Sequence, residues 1–170
     1  MISWLLRGLS MGAIVTTAWV LVGVFMKASA TTGSLWKVLA VALIVLLALL
    51  WGGLDGIRDA RANPDPDDYA DLTMVWLKAG FLAAAIAVVI GYIVGNTILP
   101  QMGPRPLFVA LTAGISFLTL LVYVPAFVGV SVGRWLIRRE DKRADSWADD
   151  EAETVDEAVE DADYSAATAE

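Results

Sequence analysis

Four long apolar runs that contain no Asp, Glu, Lys or Arg constrain the fold of this chain more than any other feature. They cover about residues 8–26, 38–54, 79–99 and 107–133. A helix rises about 1.5 Å per residue, so roughly 20 apolar residues cross the hydrocarbon core of a bilayer. The sequence therefore predicts an all-α integral membrane protein in which residues 1–139 form a bundle of four transmembrane helices.

The first run has an alternative interpretation. Arg7, the apolar run and the segment Ala28-Ser29-Ala30 together resemble a signal peptide with its cleavage site. However, the 19-residue run exceeds the usual apolar length of such a peptide, and Lys27 directly precedes the site. We therefore expect a retained span, whereas cleavage would leave three spans.

The ends of the runs carry tryptophans, which settle at headgroup depth in membranes. These are Trp4, Trp36, Trp51, Trp76 and Trp135. The fourth run is longer than a perpendicular span needs, and Pro125 inside it predicts a kink.

Charge divides the chain into two parts. Residues 1–139 carry a net charge of +4, whereas residues 140–170 carry −11. The second part has too little apolar surface to offset the entropy of ordering, which predicts an acidic, disordered tail. Such a tail either solvates the protein or binds a basic protein partner. Nucleic acid is not an expected partner, because binding it requires a Lys/Arg-rich surface.

The Lys/Arg distribution predicts the orientation. Nine of these residues lie on the side that holds both termini and the loop 55–78, and three lie on the other side: Lys27, Lys37 and Arg105. The positive-inside rule then places both termini in the cytoplasm of a multi-pass plasma-membrane protein, with the lipid bilayer as its surroundings.

The composition excludes several kinds of site. The chain has no cysteine and no histidine, so thiolate catalysis, a Ser-His-Asp triad and histidine metal sites are absent. The acidic cluster Asp65, Asp67 and Asp68 lacks the glycine and glutamate of a calcium loop. We expect a turn there, with Asp71 as the N-cap of the third helix. No cofactor, metal or enzymatic activity is predicted.

Each run carries one pair of glycines four residues apart, and the pair of the second run extends just beyond its end. Such pairs let helix backbones approach closely in lipid, either within one chain or between copies in a homo-oligomer. The pairs are Gly8/Gly12, Gly52/Gly56, Gly91/Gly95 and Gly129/Gly133.

Candidate functional residues are few, because the runs contain no ionisable acid or base. The neutral candidates are Trp19, Tyr92, Asn96, Thr112, Ser116 and Thr119, the last three at helical spacing on one face. Near the end of the second run are Asp55, Arg58, Asp59 and Arg61. Either Asp55 pairs with Arg58 at the membrane surface, or it lies at the cytoplasmic mouth of a cavity and binds a cation or proton.

Several segments resemble a known family. They are WGGLDGIRDARANPDPDD (51–68), ADLTMVWL (70–77), SWLLRG (3–8) and PAFVGVSVGRWL (125–136). Together they are similar to an actinobacterial family of four-span proteins grouped with the drug/metabolite transporters. The resemblance covers about residues 3–138 and implies a four-helix transporter fold. The small multidrug exporters of this class use a glutamate in their first helix, and the first run here has none.

The resulting functional expectation is a small transporter of the drug/metabolite-transporter-like class, acting as an oligomer on an unidentified substrate. The alternative is a non-transporting membrane scaffold or an accessory subunit of an envelope complex. A transporter needs a polar cavity at mid-membrane, whereas a scaffold can be dry throughout.

Overall fold

The computed structural model describes residues 3–28, 33–98 and 106–167, with only the backbone given for residues 28, 66, 145 and 148–167. The described residues form helices and no strand. Four of the helices are long and apolar enough to cross a membrane. This confirms the predicted all-α class and the prediction of four helices that could cross a membrane.

The helices extend beyond the apolar runs. Their bounds are α1 Ser3–Ala28, α2 Gly33–Ala62 and α3 Leu72–Thr97, followed by α4 Leu107–Val109, a π-helical turn Ala110–Gly114 and α5 Ile115–Ala167. A 3₁₀ turn, Pro66–Asp68, lies between α2 and α3. We call α4, the π-helical turn and α5 together the fourth helix. Pro125 lies inside α5, and the kink there stays a prediction.

Helices α1 and α3 pack closely and run in the same direction. Gly8 lies against Leu82, and Gly12 lies against Ala83 and Ile86, so the order of contacts is the same along both helices. Neighbours in sequence run antiparallel, since Gly33 at the start of α2 lies against Met26 at the end of α1. The chain therefore passes up and down through four helices, with the alternate helices α1 and α3 in parallel contact.

Helices α2 and α5 form a second parallel contact, and glycines line both of its sides. A Cβ added to Gly52 would overlap the backbone of Ala126, and one added to Gly56 would overlap that of Val130. The same overlap with the backbone of α2 arises at Gly129 and Gly133. Backbone contact of this kind is available only to glycine, and it is a principal source of helix association in lipid.

The core between the helices consists mainly of small and β-branched side chains. Its fully buried members include Met11, Val15, Ile44, Ala48, Ala83, Val122 and Ala126. Met11 and Val15 belong to α1, so signal cleavage would remove part of this core. Trp76 is also fully buried, with its ring edge-on to Trp51 at 6.3 Å. Trp76 therefore packs inside the bundle, and its predicted position at headgroup depth stays a prediction.

Large apolar side chains cover the outside of the bundle. Leu43, Phe81, Phe108 and Leu120 are each about half exposed or more. In water such a surface would be unusual for a monomer, whereas hydrocarbon is a good solvent for it. The exposed apolar surface agrees with the membrane assignment.

The chain divides into two compact units, one ending at Arg134 and the other beginning at Trp135. In the second unit the helix backbone continues to Ala167, and the Arg139 guanidinium lies 4.5 Å from the ring centroid of Trp135. The sequence predicted no regular structure after residue 139, but Ala and Glu are good helix formers. Because only the backbone is described for residues 148–167, disorder of the tail in solution stays a prediction.

Removing the tail should leave the membrane unit intact. We expect a variant without residues 144–170 to insert into membranes and keep the helix content of its first unit, because that unit ends at Arg134. Membrane fractionation and circular dichroism of the purified variant measure this. A shorter variant that ends at Gly133 is the control and should be less stable, since it also loses the ion pair of Arg134. Failure of the longer variant to insert would contradict the prediction.

Candidate functional site

A cavity of about 160 Å³ lies between α1, α3 and the beginning of the fourth helix. Its lining is mainly apolar and aromatic. The lining residues are Thr16, Trp19, Val20, Ala87, Val88, Gly91, Tyr92, Val94, Gly95, Asn96, Ala110, Gly114, Phe117 and Leu118. Small-molecule sites in proteins have this character, with a few polar groups in an apolar wall.

The cavity occupies one half of the bundle. Thr16 on α1 is nine residues beyond Arg7, which corresponds to about 14 Å along the helix axis. Asn96 is next to the last residue of α3. The cavity therefore extends from the middle of the apolar region to the end of the bundle opposite Arg7.

Two glycines provide space for the cavity. A Cβ added to Gly91 or Gly95 would meet no described atom within 4 Å. The sequence predicted that this pair packs against another helix, but within the described residues it lines the cavity instead. Glycine spacing shows that a close approach is possible on one helix, and it does not show whether a partner helix is present.

A π-helical turn at the beginning of the fourth helix forms another wall of the cavity. Ala110 and Gly114, the first and last residues of this turn, both line the cavity. A π-helical turn adds a residue to the helical turn, which changes the direction of the side chains on either side of it. Such turns occur frequently at functional sites.

The polar side chains of the lining residues belong to α1 and α3. Thr16 Oγ1 is buried and has no hydrogen-bond partner among the described residues. Trp19, Tyr92 and Asn96, which the sequence singled out separately, lie together here. Thr16, a polar residue within the first run, was not among the candidates predicted from the sequence. Thr16, Trp19 and Val20 are spaced so that they lie on one face of α1. Residues 88, 91, 92, 95 and 96 likewise lie on one face of α3. This helical spacing was the signal available in the sequence.

The opposite end of the bundle, which we call the charged end, holds two ion pairs formed by Arg7, Asp55, Asp59 and Arg134. Arg7 Nε donates to Asp55 Oδ2 at 2.7 Å, and the Asp55 side chain is 5% exposed. One of the two interpretations of the sequence paired Asp55 with Arg58. That expectation is wrong, because Asp55 faces α1 whereas Arg58, on the same helix, is exposed.

Asp59 is the centre of a larger network at the charged end. Its Oδ2 accepts from Arg134 Nε at 3.0 Å and from Arg134 Nη2 at 2.5 Å. Its Oδ1 accepts from the backbone N–H of Ala70 and from Asn63 Nδ2. Arg134 Nη2 also donates to the Ala70 carbonyl oxygen, and its guanidinium lies over the ring of Tyr69. One carboxylate thus ties the α2–α3 loop to the fourth helix.

The acidic residues of the α2–α3 loop cap turns and helices. Asp65 Oδ1 accepts from the N–H of Asp67, and Asp71 Oδ1 accepts from the N–H of Met74 at the start of α3. The predicted N-cap role of Asp71 is confirmed. Arg61, a further candidate, is exposed. Most distinctive residues of the segment 51–68 therefore have structural roles in packing, ion pairing or capping.

The hydroxyl residues of the fourth helix do not contribute to the cavity lining. Thr112 and Ser116 are exposed, and Thr112 Oγ1 donates to the Phe108 carbonyl oxygen of its own helix. Thr119 is buried, and its Oγ1 has no hydrogen-bond partner among the described residues. The predicted polar face is therefore divided between the outer surface and the core.

Compared with known proteins, the chain matches no family description and no curated protein sequence. The resemblance to the four-span transporter-like family therefore stays a prediction. Any functional conclusion depends on the cavity and the charged end.

Proposed function

We propose that this chain is a small membrane transporter, rather than an enzyme, that takes its substrate into the cavity between α1, α3 and the fourth helix. The cavity carries the proposal, because a scaffold protein needs no such space and because Thr16, Tyr92 and Asn96 add polar side chains to its mainly apolar lining. It begins at the middle of the apolar region, where an alternating-access transporter holds its substrate.

The charged end supports this proposal by closing the other half of the bundle. Two ion pairs and the glycine contact between α2 and α5 hold the helices together there. With the charged end in the cytoplasm, as the Lys/Arg distribution predicts, this conformation is closed to the cytoplasm and opens outward. Transport would then require separation of helices at the charged end.

An oligomer is part of the proposal. The space within one chain is about 160 Å³ and lies in one half of the bundle. This is too little for a continuous path across the membrane within one chain, so we place the path between copies. A basic protein partner for the acidic tail is a separate proposal that depends only on the charge of the tail.

Transport by purified full-length protein in liposomes tests the proposal. The panel should contain small neutral solutes, inorganic cations and lipophilic amines, all radiolabelled. We expect protein-dependent uptake of at least one solute, and loss of that uptake in Gly91→Phe, which fills the cavity. Ala42→Phe is the matched control, because it adds the same ring on an exposed position of α2.

Equal uptake by wild type and Gly91→Phe would contradict the proposed route through the cavity. Absence of uptake across the whole panel, with correctly inserted protein, would favour the alternative of a non-transporting scaffold.

A further inference from the structure

We propose that the cavity binds an uncharged amphiphile, a small molecule with an aromatic or aliphatic body and one hydrogen-bonding end. This inference deepens the proposed function, on which it rests for calling the ligand a substrate. Three properties of the cavity favour such a ligand: its charge, its polar groups and its size.

The first property of the cavity is its charge. None of the fourteen described lining residues is Asp, Glu, Lys or Arg. A charged ligand in an apolar cavity loses its hydration and needs an opposite charge in return. The carboxylates of Asp55 and Asp59 lie at the other end of the bundle and already bind arginines. An uncharged ligand is therefore favoured.

The second property is the hydrogen-bonding capacity of the cavity lining. An enclosed hydroxyl without a hydrogen-bond partner destabilises the protein, and a ligand atom could offset this by accepting or donating a bond. Thr16 Oγ1 is such a hydroxyl, and Thr16 belongs to the lining near the inner limit of the cavity. Asn96, an exposed residue at the far end of α3, offers a second polar group in the lining. The polar end of the ligand is expected to reach Thr16.

The third property is the size and shape of the cavity. An apolar cavity of about 150 Å³ can hold a benzene ring. This cavity has a volume of about 160 Å³ and includes the rings of Trp19, Tyr92 and Phe117 in its lining. A phenyl ring with a short chain that ends in a hydroxyl matches these dimensions. The same rings could attract a cation through their faces, so the charge of the ligand is the property to test.

Two probes that differ mainly in charge provide the test: 3-phenyl-1-propanol and 3-phenylpropylammonium. Saturable binding to the full chain in lipid nanodiscs is measured by tryptophan fluorescence, after subtraction of partition into empty nanodiscs. We expect the alcohol to bind with a Kd at least tenfold lower than that of the ammonium ion.

Three variants localise the binding. Thr16→Val removes the hydroxyl at similar volume and should raise the Kd of the alcohol by roughly fivefold, as for loss of one hydrogen bond. Gly91→Phe should abolish saturable binding, because the added side chain enters open space. Ala42→Phe, on the outer surface of α2, should bind the alcohol as the wild type does.

The inference is overturned if the ammonium ion binds as tightly as the alcohol, if the alcohol shows no saturable binding, or if Thr16→Val and Gly91→Phe both leave binding unchanged. Binding and transport are measured separately. Selective binding of the alcohol without uptake into liposomes would therefore support this inference and contradict the proposed function.

Discussion

Gly129→Ala is expected to lower the stability of the membrane unit severely, although it adds one methyl group. That methyl would overlap the carbonyl oxygen of Leu49 and come within 2.7 Å of the Gly53 nitrogen. These are backbone atoms and cannot move aside as a side chain can, so α2 and α5 must separate. Overpacking of this kind costs about 1–3 kcal/mol, and more where backbone must shift. Thermal unfolding in detergent measures the loss, and Gly129→Leu should fail to fold.

Gly91→Ala is the matched control. Both substitutions exchange glycine for alanine inside a helix, which in water favours the helix by about 1 kcal/mol. A Cβ at Gly91 meets no described atom within 4 Å, so this variant should unfold at or above the wild-type temperature. Similar unfolding temperatures for Gly91→Ala and Gly129→Ala would show that the contact between α2 and α5 does not stabilise the protein.

Asp59→Ala is expected to have the second large effect. It leaves Arg134 without its carboxylate and removes the acceptor for the Ala70 N–H. The Asp59 side chain is 7% exposed and that of Arg134 is 20% exposed, so little water can replace the lost partner. Removing one member of a buried ion pair costs about 3–5 kcal/mol. Denaturant titration of purified protein should show this loss.

The control for Asp59 is Asp68→Ala in the same loop. Asp68 is exposed, and its substitution should change stability by about 0.5 kcal/mol or less. The double variant Asp59→Ala/Arg134→Ala should be more stable than the sum of the two single effects implies, because no charge is left unpaired. Strict additivity would mean that the ion pair contributes nothing.

The helices could be predicted from the sequence because each is encoded locally. Uncharged runs of about 20 residues exclude most soluble folds, and the capping role of Asp71 depends on a residue three positions away. The continuation of α2 through Ala62 likewise follows from charged residues at helical spacing beyond the apolar run. These features require no knowledge of the other helices.

The contacts between helices could not be predicted in the same way. Arg7 and Asp55 are 48 residues apart in sequence, whereas Arg58 offered a plausible partner one turn away. Which partner is used depends on the face of α2 that meets α1, and the apolar runs do not specify that face. The glycine pairs illustrate the same point, since Gly52/Gly56 meets a helix and Gly91/Gly95 lines a cavity.

The cavity was only partly visible in the sequence. Trp19, Tyr92 and Asn96 were each unusual for a transmembrane helix, but α1 and α3 must be in contact before they form one site. The π-helical turn gave no signal in the sequence. Thr16 gave only its helical spacing from Trp19 and Val20, and a threonine in a span usually bonds to its own helix.

Cysteine accessibility tests the central claim most directly, which is that the cavity opens outward and the charged end faces the cytoplasm. The chain has no cysteine, so single cysteines can be placed at Asn96, at Asp67 in the α2–α3 loop, and at Ser34 at the start of α2. In intact cells, a membrane-impermeant maleimide should label positions 34 and 96, and should label position 67 only after the membrane is opened. Labelling of position 67 in intact cells, with position 96 protected, would contradict the account.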